Sequence, residues 1–552
     1  MKKKRLLSKV LALTLSLALL CGIALAENWD LANGSITIDT SNEAQWVSQG
    51  DIRQEDSTPV IIQNSSQTSN TVTITGGGTA NVTIRDITST ASGGSAIDIQ
   101  GNTNANIQAE GQNSLTTLDQ NSAAIHVSQG NLNLNVQENG SLEAKNNSMN
   151  GYGAGIGSDR GEDLSGNIHI SGKGSVTAGS NGGAGIGSGS EGHVTGGIIT
   201  GEGDVNAAGN YGAGIGSGSN GNVTGSITTG DGNVVSGSAW GAGIGSGSAG
   251  DMKASGSITT GKGNVTAASE DGAGMGSGFN GHMNGSITTG EGQVAAHSTS
   301  GAGMGSGSNG KMGGSITTGD GNVTSGSSFG AGMGSGVSGD MTDAGSITTG
   351  KGAVNPSSSS GAGIGSGFGG EMNGKVNIPV GGQVTSTSKS AAPIGSGMTG
   401  SVGHKAQLNV KTGVTINGKE VESIEDAYGL GIPDDQVHEL TESMPAPAEA
   451  SRQLPKDLYW ILSEGASIRA QEALDGTVLT LTVEEENASL HITGFGLNQL
   501  EAQGIRTIVF KTASLESRFA LADVLGTSNL VLNHLASAAE LTLDGEASDL
   551  LK

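Results

Sequence analysis

The stretch GAGIGSGSAGDMKASGSITTGKGNVTAASED, residues 241–271, is one period of a repeat that decides the fold. Its first phrase, GAGIGSG or a close variant, returns every 29 to 31 residues. The copies begin at Gly153, Gly183, Gly212, Gly241, Gly272, Gly301, Gly330 and Gly361, with a degenerate copy at Ala391. A fixed period of this length is typical of solenoid proteins, in which each repeat stacks on its neighbours.

Each period places aliphatic residues in three short stretches that are separated by Gly, Ser and Asn. The first column of aliphatic positions is Ile156, Ile186, Ile215, Ile244, Met275, Met304, Met333, Ile364 and Ile394. The second column is Ile168, Ile198, Ile227, Ile258, Ile287, Ile316, Ile347, Val376 and Leu408. The third column is Val176, Val205, Val234, Val265, Val294, Val323, Val354 and Val384. The columns predict three short strands per coil, each directing one aliphatic side chain inward, with coils stacked about 4.8 Å apart.

This pattern predicts an all-β fold, a right-handed parallel β-helix with one coil per repeat. Burying about three aliphatic side chains per coil contributes roughly 1.5–3 kcal/mol each. Ordering about thirty backbone residues costs more than that, so a single repeat cannot fold alone and only a stack is stable. The alternative, a flexible Gly/Ser linker, has no reason to keep three aliphatic registers through nine copies.

The beginning of the chain predicts export. A basic start, an apolar stretch and the small residues Ala24-Leu25-Ala26 are typical of a secretory signal peptide over residues 1–26, with an uncleaved membrane anchor as the alternative. We therefore expect an extracellular protein, secreted or at the cell surface. The chain's one cysteine, Cys21, lies within this segment, so the exported form would have no disulfide. No second apolar run of 18 or more residues follows, so no membrane span is expected.

The composition changes along the chain and predicts its division into domains. The upstream residues alternate irregularly in strand fashion, the repeat array follows, and an acidic segment with prolines precedes a final stretch of mixed strand and helix patterns. In that final stretch, helices are predicted at Leu497–Gln503 and Leu515–Leu525. The predicted segments are irregular β-helix coils and a cap at 27–150, the regular β-helix at 151–418, an acidic linker at 419–456, and a small α+β domain at 457–552.

The charge balance limits the classes of partner. The chain carries a net charge of −25, and removing residues 1–26 takes away five basic residues and no acidic one. Nucleic acids and anionic membranes are bound through Lys and Arg, so we expect neither as a partner. Neutral glycans, cations and basic partners remain compatible with this surface.

No catalytic arrangement is visible in the repeat array, so we expect no enzyme. Glycan cleavage needs paired carboxylates or metal-bound carboxylates with a basic residue. The acids are scattered, and Arg160 is the only arginine between residues 86 and 418. The histidines show no metal-ligand spacing, so no metal site and no cofactor is predicted. Calcium stays open because Asp231 and Glu291 share one turn of the repeat, although Lys262 replaces them in another coil.

Two repeated surface features are candidate ligand-binding sites. The residue before GAG is aromatic in four coils: Tyr152, Tyr211, Trp240 and Phe329. Aromatic rings on a rigid scaffold suit the C–H faces of sugars, and the alternative is that the rings only cover the edge of the coil. The Ser-Ile-Thr stretch directs a second set of hydroxyls outward: Thr228, Thr259, Thr288, Thr317 and Thr348. These hydroxyls either order water, as in ice-binding solenoids, contact glycan hydroxyls, or are ordinary solvent-facing strand residues.

The repeat phrases, together with NGSITIDT (33–40), TVTITGGGTANVTI (71–84) and SAIDIQG (95–101), resemble bacterial extracellular parallel β-helix proteins described as carbohydrate-binding domain proteins. The resemblance covers about residues 30–418 and extends to GAGIG-repeat surface proteins of Gram-positive bacteria. It implies a polysaccharide or a surface glycan as partner, and for some relatives a plant polysaccharide such as pectin, with calcium. No ligand-binding residue carries over by motif.

The expected function is that of a non-enzymatic adhesin or carbohydrate-binding β-helix that presents a repetitive surface. Two alternatives stay open: a structural surface spacer that displays a partner-binding C-terminal module, and a degenerate β-helix of the polysaccharide lyase type. The sequence does not identify the ligand or the oligomeric state.

Overall fold

The computed structural model describes residues 28–440, apart from 43 and 380, and residues 459–548 with short gaps at 464–465, 476, 494–495, 498–499, 502–504, 526, 528, 536–537 and 544–545. The predicted signal peptide, residues 1–26, and residues 441–456 of the predicted linker lie outside the described residues. Contacts divide the chain into two units, Met1–Leu440 and Thr441–Lys552. Within the described parts of the chain, no helix is long and apolar enough to cross a bilayer.

The first unit is a β-solenoid whose coils each contribute strands to three long, mostly parallel sheets, which confirms the predicted parallel β-helix. Sheet A has 15 strands: Asn28–Asp30, Val60–Ile62, Thr79–Arg85, Asn104–Glu110, Leu132–Val136, Ile168–Ser171, Gly197–Thr200, Ser226–Thr228, Ser257–Thr259, Ser286–Thr288, Ser315–Thr317, Ser346–Thr348, Lys375–Ile378, Gln407–Val410 and Val437–Glu439. Sheet B has 15 strands: Ile52–Glu55, Trp46–Gln49, Ile36–Asp39, Val72–Thr75, Ile97–Ile99, Ile125–Val127, Ile156–Gly157, Ile186–Gly187, Ile215–Gly216, Ile244–Gly245, Met275–Gly276, Met304–Gly305, Met333–Gly334, Ile364–Gly365 and Ile394–Gly395. Sheet C has 14 strands: Thr88–Ala91, Gln112–Thr117, Ser141–Asn146, Ser175–Gly179, Val205–Ala208, Val234–Gly237, Val265–Ala268, Val294–Ser298, Val323–Ser327, Ala353–Ser358, Thr387–Ser388, Gln383–Val384, Thr415–Ile416 and Lys419–Glu420.

The three predicted columns of aliphatic residues are confirmed as ladders in the core. The first column lies in sheet B, the second in sheet A and the third in sheet C, as where Ile227 pairs in register with Ile198 and Ile258. The structure adds a fourth core column, whose successive members are joined by single bridges: Leu164, Val194, Val223, Met252, Met283, Met312, Met341, Met372 and Val402. All of them are buried except Val402, which is partly buried. The sequence pattern predicted three core columns and missed this fourth one. Its residue type varies between Leu, Val and Met, and each member is a single apolar residue among small or polar ones.

The GAGIGSG phrase is fixed by close contact between the backbones of neighbouring coils. The glycine after each sheet B aliphatic residue has a positive φ, +139° at Gly245. A Cβ atom there would lie 1.8 Å from the carbonyl oxygen of Gly276 in the next coil. Only glycine fits this position, because it tolerates the left-handed backbone and leaves room for the neighbouring carbonyl.

The serine of the same phrase is buried and completes the hydrogen bonding of two coils. The Ser246 hydroxyl donates to the carbonyl oxygen of Gly250 at 2.7 Å and accepts a hydrogen bond from the Gly278 amide of the next coil at 3.2 Å. The pattern recurs at the equivalent serines: Ser158, Ser188, Ser217, Ser277, Ser306, Ser335 and Ser366. Each coil thus satisfies buried polar groups of its neighbour, as a stacked array requires.

Both ends of the solenoid depart from the regular coil. At the start, a 3₁₀ helix, Leu31–Asn33, precedes three antiparallel strands that close the end of sheet B. At the other end, residues 419–440 differ from the linker prediction: Lys419–Glu420 and Val437–Glu439 pair with the last coil, and 3₁₀ helices form at Ile424–Ala427 and Asp434–Gln436. A cap needs few apolar contacts, supplied here by Val421, Ala427, Ile432 and Val437, so its acidic outer residues give it the composition of a linker.

The prediction of an α+β C-terminal domain is wrong, because the described part of the second unit is mostly sheet. A six-stranded sheet runs in the order Ala466–Ile468, Tyr459–Ser463, Ala488–Thr493, Asn529–Leu535, Ala538–Leu543 and Glu546–Ser548. A four-stranded sheet runs in the order Gln471–Asp475, Val478–Thr482, Thr507–Lys511 and Glu516–Ala520.

The two predicted helices of this unit have different outcomes. The helix predicted at Leu515–Leu525 is instead the strand Glu516–Ala520 followed by a 3₁₀ helix, Leu521–Asp523. Burial alternates along that strand with a period of two, so its buried Phe519 lies on one face of a sheet. In the other predicted segment, 497–503, the described residues Leu497, Leu500 and Glu501 are helical.

Candidate functional site

The four predicted aromatic residues occupy one column at the edge of the solenoid where the chain enters sheet B. The amide of Trp240 donates to the Asn210 carbonyl of the preceding coil at 2.8 Å, and Phe329 makes the equivalent bond to Thr299 at 2.9 Å. Because the same backbone bond is repeated, positions before GAG lie above one another from coil to coil.

A second column lies beside the first and was missed by the sequence analysis. It is formed by the residue that follows the second glycine of GSG. The amide of Phe279 donates to the Trp240 carbonyl at 2.8 Å, and that of Phe368 to the Phe329 carbonyl at 2.9 Å. The two columns together form the aromatic edge, which comprises Tyr152, Tyr211, Trp240, Phe279, Phe329 and Phe368. The repeat position held the signal, but other coils have Ser, Val, Arg or Met there.

The Trp240 ring contacts two other rings of the aromatic edge. The rings of Tyr211 and Trp240, from adjacent coils, are nearly parallel at 11° with centroids 6.1 Å apart. The Phe279 ring meets that of Trp240 edge-on, with centroids 5.3 Å apart. Tyr211 remains 46% exposed and Trp240 36% exposed. We call these three residues the first ring group.

Phe329 and Phe368 form the second ring group, where Phe329 is 48% exposed. The columns place Phe329 three coil steps beyond Trp240, a distance of about 14 Å at the spacing of parallel strands. Asp271 and Ser300 occupy the first column between the groups.

Tyr152 belongs to the same column but has a different environment. The Arg160 guanidinium lies over its ring, 4.5 Å from the centroid, and also forms an ion pair with Glu191 at 2.7 Å. A guanidinium over the face of a tyrosine ring occupies the surface that a sugar would use. Of the four predicted aromatic residues, Tyr211, Trp240 and Phe329 therefore offer exposed rings, and Tyr152 is covered on one face.

The predicted threonines form the second surface, which we call the hydroxyl face. Thr228, Thr259, Thr288, Thr317 and Thr348 pair in register along sheet A. The intervening isoleucines are buried, so the hydroxyls point outward. The Thr348 hydroxyl accepts a hydrogen bond from Asn377 at 3.2 Å, whereas within the described residues the other four threonine hydroxyls have no protein partner. Those four are available to water or to ligand hydroxyls.

A third feature, also missed by the sequence analysis, is a charged cluster spanning three successive coils. His126 lies between two carboxylates, with Nδ1 2.7 Å from Asp98 Oδ1 and Nε2 3.0 Å from Glu162 Oε2. Asp159 lies beside them and accepts a hydrogen bond from the Ala123 amide at 2.7 Å. The four side chains line an open cavity of about 340 Å³. Asp98 and Glu162 lie 28 and 36 residues from His126 in the sequence, and they come together only because coils stack.

The charged side chains of this cluster form ion pairs between the irregular coils and the regular array, and we call the cluster the ion-paired joint. Burial alone would lower the pKa of His126, but hydrogen bonds with Asp98 and Glu162 outweigh it and raise the pKa to about 10. For Asp159, burial raises the pKa of the carboxyl group. The negative charges of Glu162 and Asp98 raise this pKa further, whereas the charge of His126 lowers it. The imidazolium therefore engages both ionised carboxylates and links the irregular coils to the regular array.

The described residues contain no comparable cluster of side chains that could bind a metal ion. In the portion of the chain that the structure describes, no group of three or more His, Cys, Asp or Glu side chains is placed to hold a metal ion.

Comparison with protein-family models, curated proteins and solved structures finds no match for this chain.

Proposed function

We propose that this protein is a secreted or cell-surface, non-enzymatic β-solenoid that binds carbohydrate through its aromatic edge. The observation that carries the proposal is the exposure of Tyr211 and Trp240, two nearly parallel rings on adjacent coils of a backbone-bonded scaffold. Secretion rests on the signal-peptide pattern of residues 1–26.

Exposed rings in this position favour a ligand. The core is filled by the four aliphatic columns, and coils with Ser or Asp before GAG keep the same backbone bonds, so the fold does not require an aromatic residue there. Rings with two rotatable bonds offer a large contact area at low entropic cost. Such rings bind the apolar C–H faces of sugars, and this contact requires no cationic side chain at the site.

Binding of immobilised glycans by the full chain tests the proposal. Trp240→Ala should weaken retention about tenfold, equivalent to about 1.4 kcal/mol. Val235→Ala is the matched control, because Val235 is an exposed apolar residue on the outward side of sheet C and belongs to neither column of the aromatic edge. No retention on any glycan, or equal retention by the two variants, would remove the proposal.

The second candidate is a structural spacer that displays a partner-binding module. The division of the chain into two units favours it, because the second unit has its own hydrophobic core. In that case cell or protein binding by the full chain is unchanged by Trp240→Ala and is lost when exposed residues of the second unit are substituted.

A further inference from the structure

We infer that the ligand of the aromatic edge is a linear, neutral polysaccharide that lies along the solenoid axis and contacts both ring groups at once. This inference rests on the proposed function and adds the class, the orientation and the minimum length of the ligand.

The orientation follows from the placement of the rings. Both ring groups combine the same two columns, since Phe279 bonds to Trp240 and Phe368 bonds to Phe329 through equivalent backbone atoms. The line from one group to the other is therefore the direction in which the coils stack. From Tyr211 to Phe368 it covers five coil steps, about 24 Å. A single sugar reaches one group, whereas an extended chain reaches both.

The surface between the ring groups leaves room for a chain. Between the ring groups, the aromatic-edge column of residues before GAG holds Asp271 and Ser300, which are both half-buried. The column of residues after GSG holds the buried Ser308 and the half-buried Val337. Backbone bonds hold Ser308 beside Asp271 and Val337 beside Ser300, at 2.9 and 3.0 Å. These side chains are smaller than the rings on either side, so a polymer can lie over them without displacing the backbone.

The charge of this stretch selects a neutral polymer. Asp271 is the ionisable residue of the two columns between the ring groups, the exposed Glu270 precedes it, and the chain as a whole carries a net charge of −25. A polyuronate would place its carboxylates against this field, and like charges in contact oppose association. The aromatic edge therefore favours neutral chains over pectin-type acidic ones.

Contact at two groups predicts a steep dependence on ligand length. When one chain engages both groups, the second contact forms within the complex, and avidity can exceed the affinity of either site by about 10²–10⁴. Mono- and disaccharides are too short to reach across about 14 Å and gain nothing from the second group.

The test measures the affinity of the full chain for mixed-linkage β-glucan, xylan and mannan, for their di- to decasaccharides, and for polygalacturonate. Wild type should bind at least one neutral polymer about 10²-fold more tightly than its disaccharide. Phe329→Ala should remove that advantage while leaving disaccharide binding at the first ring group, and Trp240→Ala should weaken both. Val235→Ala, at an exposed apolar residue that belongs to neither column of the aromatic edge, is the matched control and should bind as wild type.

Each outcome decides one of the two proposals. Binding of short and long ligands with equal affinity, or an unchanged polymer affinity for Phe329→Ala, overturns this inference and leaves the proposed function intact. Preference for polygalacturonate overturns the neutral-polymer assignment. Absence of binding to every probe, short and long, overturns the proposed function and the inference with it. Equal melting temperatures by circular dichroism establish that Phe329→Ala is folded, as expected for a ring that is nearly half exposed.

Discussion

The irregular first coils and the regular array differ in the groups that hydrogen-bond one coil to the next. Up to about residue 150, side chains bond across coils: Asn106 donates to Asn81 at 2.8 Å, and Asn133 donates to Asn106 at 2.7 Å. The strands there are long, up to the seven residues of Asn104–Glu110. Beyond the His126 cluster, strands shorten and the buried cross-coil bonds run through glycine backbone and serine hydroxyls.

The difference shows what the glycine-rich repeat achieves. Where backbone and buried hydroxyls hold the stack, the side chains before GAG need not bond from coil to coil. Asparagine ladders persist at other positions of the array, where Asn264 donates to Asn233 at 3.3 Å and Asn309 donates to Asn280 at 3.0 Å. The first column of the edge can then hold Trp in one coil and Asp or Ser in the next two. In the first coils, by contrast, outward residues such as Asn106 are themselves part of the ladder. The candidate sites accordingly lie in the array, and the ion-paired joint lies at the boundary.

Among the substitutions that test this comparison, Gly245→Ala is expected to lower the free energy of unfolding the most. The added Cβ would meet the Gly276 carbonyl oxygen at 1.8 Å in a backbone with φ of +139°, so two coils must separate. We expect a loss of more than about 4 kcal/mol of unfolding free energy, measured by urea denaturation. Gly237→Ala is the control, because nothing lies within 4 Å of its Cβ position, and it should change stability by less than about 0.5 kcal/mol. Equal effects would show that backbone proximity does not hold the array.

His126→Gln tests the joint between the two regions. Since the folded pKa of His126 is raised to about 10, its contribution to stability is fully present below pH 6.5 and is lost as pH rises through 10. The variant should therefore be about 2–3 kcal/mol less stable than wild type at pH 6, and the difference should shrink toward pH 10. Urea denaturation at both pH values measures it. A difference that is independent of pH would mean that the imidazole contributes through packing alone.

The smallest of these effects is expected for Ser246→Ala. The substitution leaves the Gly278 amide and the Gly250 carbonyl without their hydroxyl partner, at a cost of about 1–2 kcal/mol. Ser248→Ala, two residues along and partly exposed, provides the comparison and should be nearly neutral. If both variants matched wild type in melting temperature, the buried hydroxyl would not be part of what stabilises the stack.

The sequence predicted those features that repeat at a fixed period. Three columns of aliphatic residues were visible because Ile and Val recur beside glycine, and the outward threonines followed from strand alternation. Phe279 and Phe368 were not, since the other seven coils have non-aromatic residues at that position. The partners of His126 lie a coil away in each direction, and no local spacing links them. In the second unit, ESRFA at 516–520 is too short to distinguish a strand from a helix by periodicity.

The buried serine has a consequence for how such a protein changes in size. Each hydroxyl joins its own turn to the next, so every internal coil both provides and receives the same bonds. Inserting or deleting one whole repeat therefore leaves no unmet donor or acceptor inside the stack, and the caps stay as they were. Duplication of the gene segment would lengthen the solenoid in steps of about 4.8 Å. The separation between ring groups, and with it the length of chain they can span, is set by copy number.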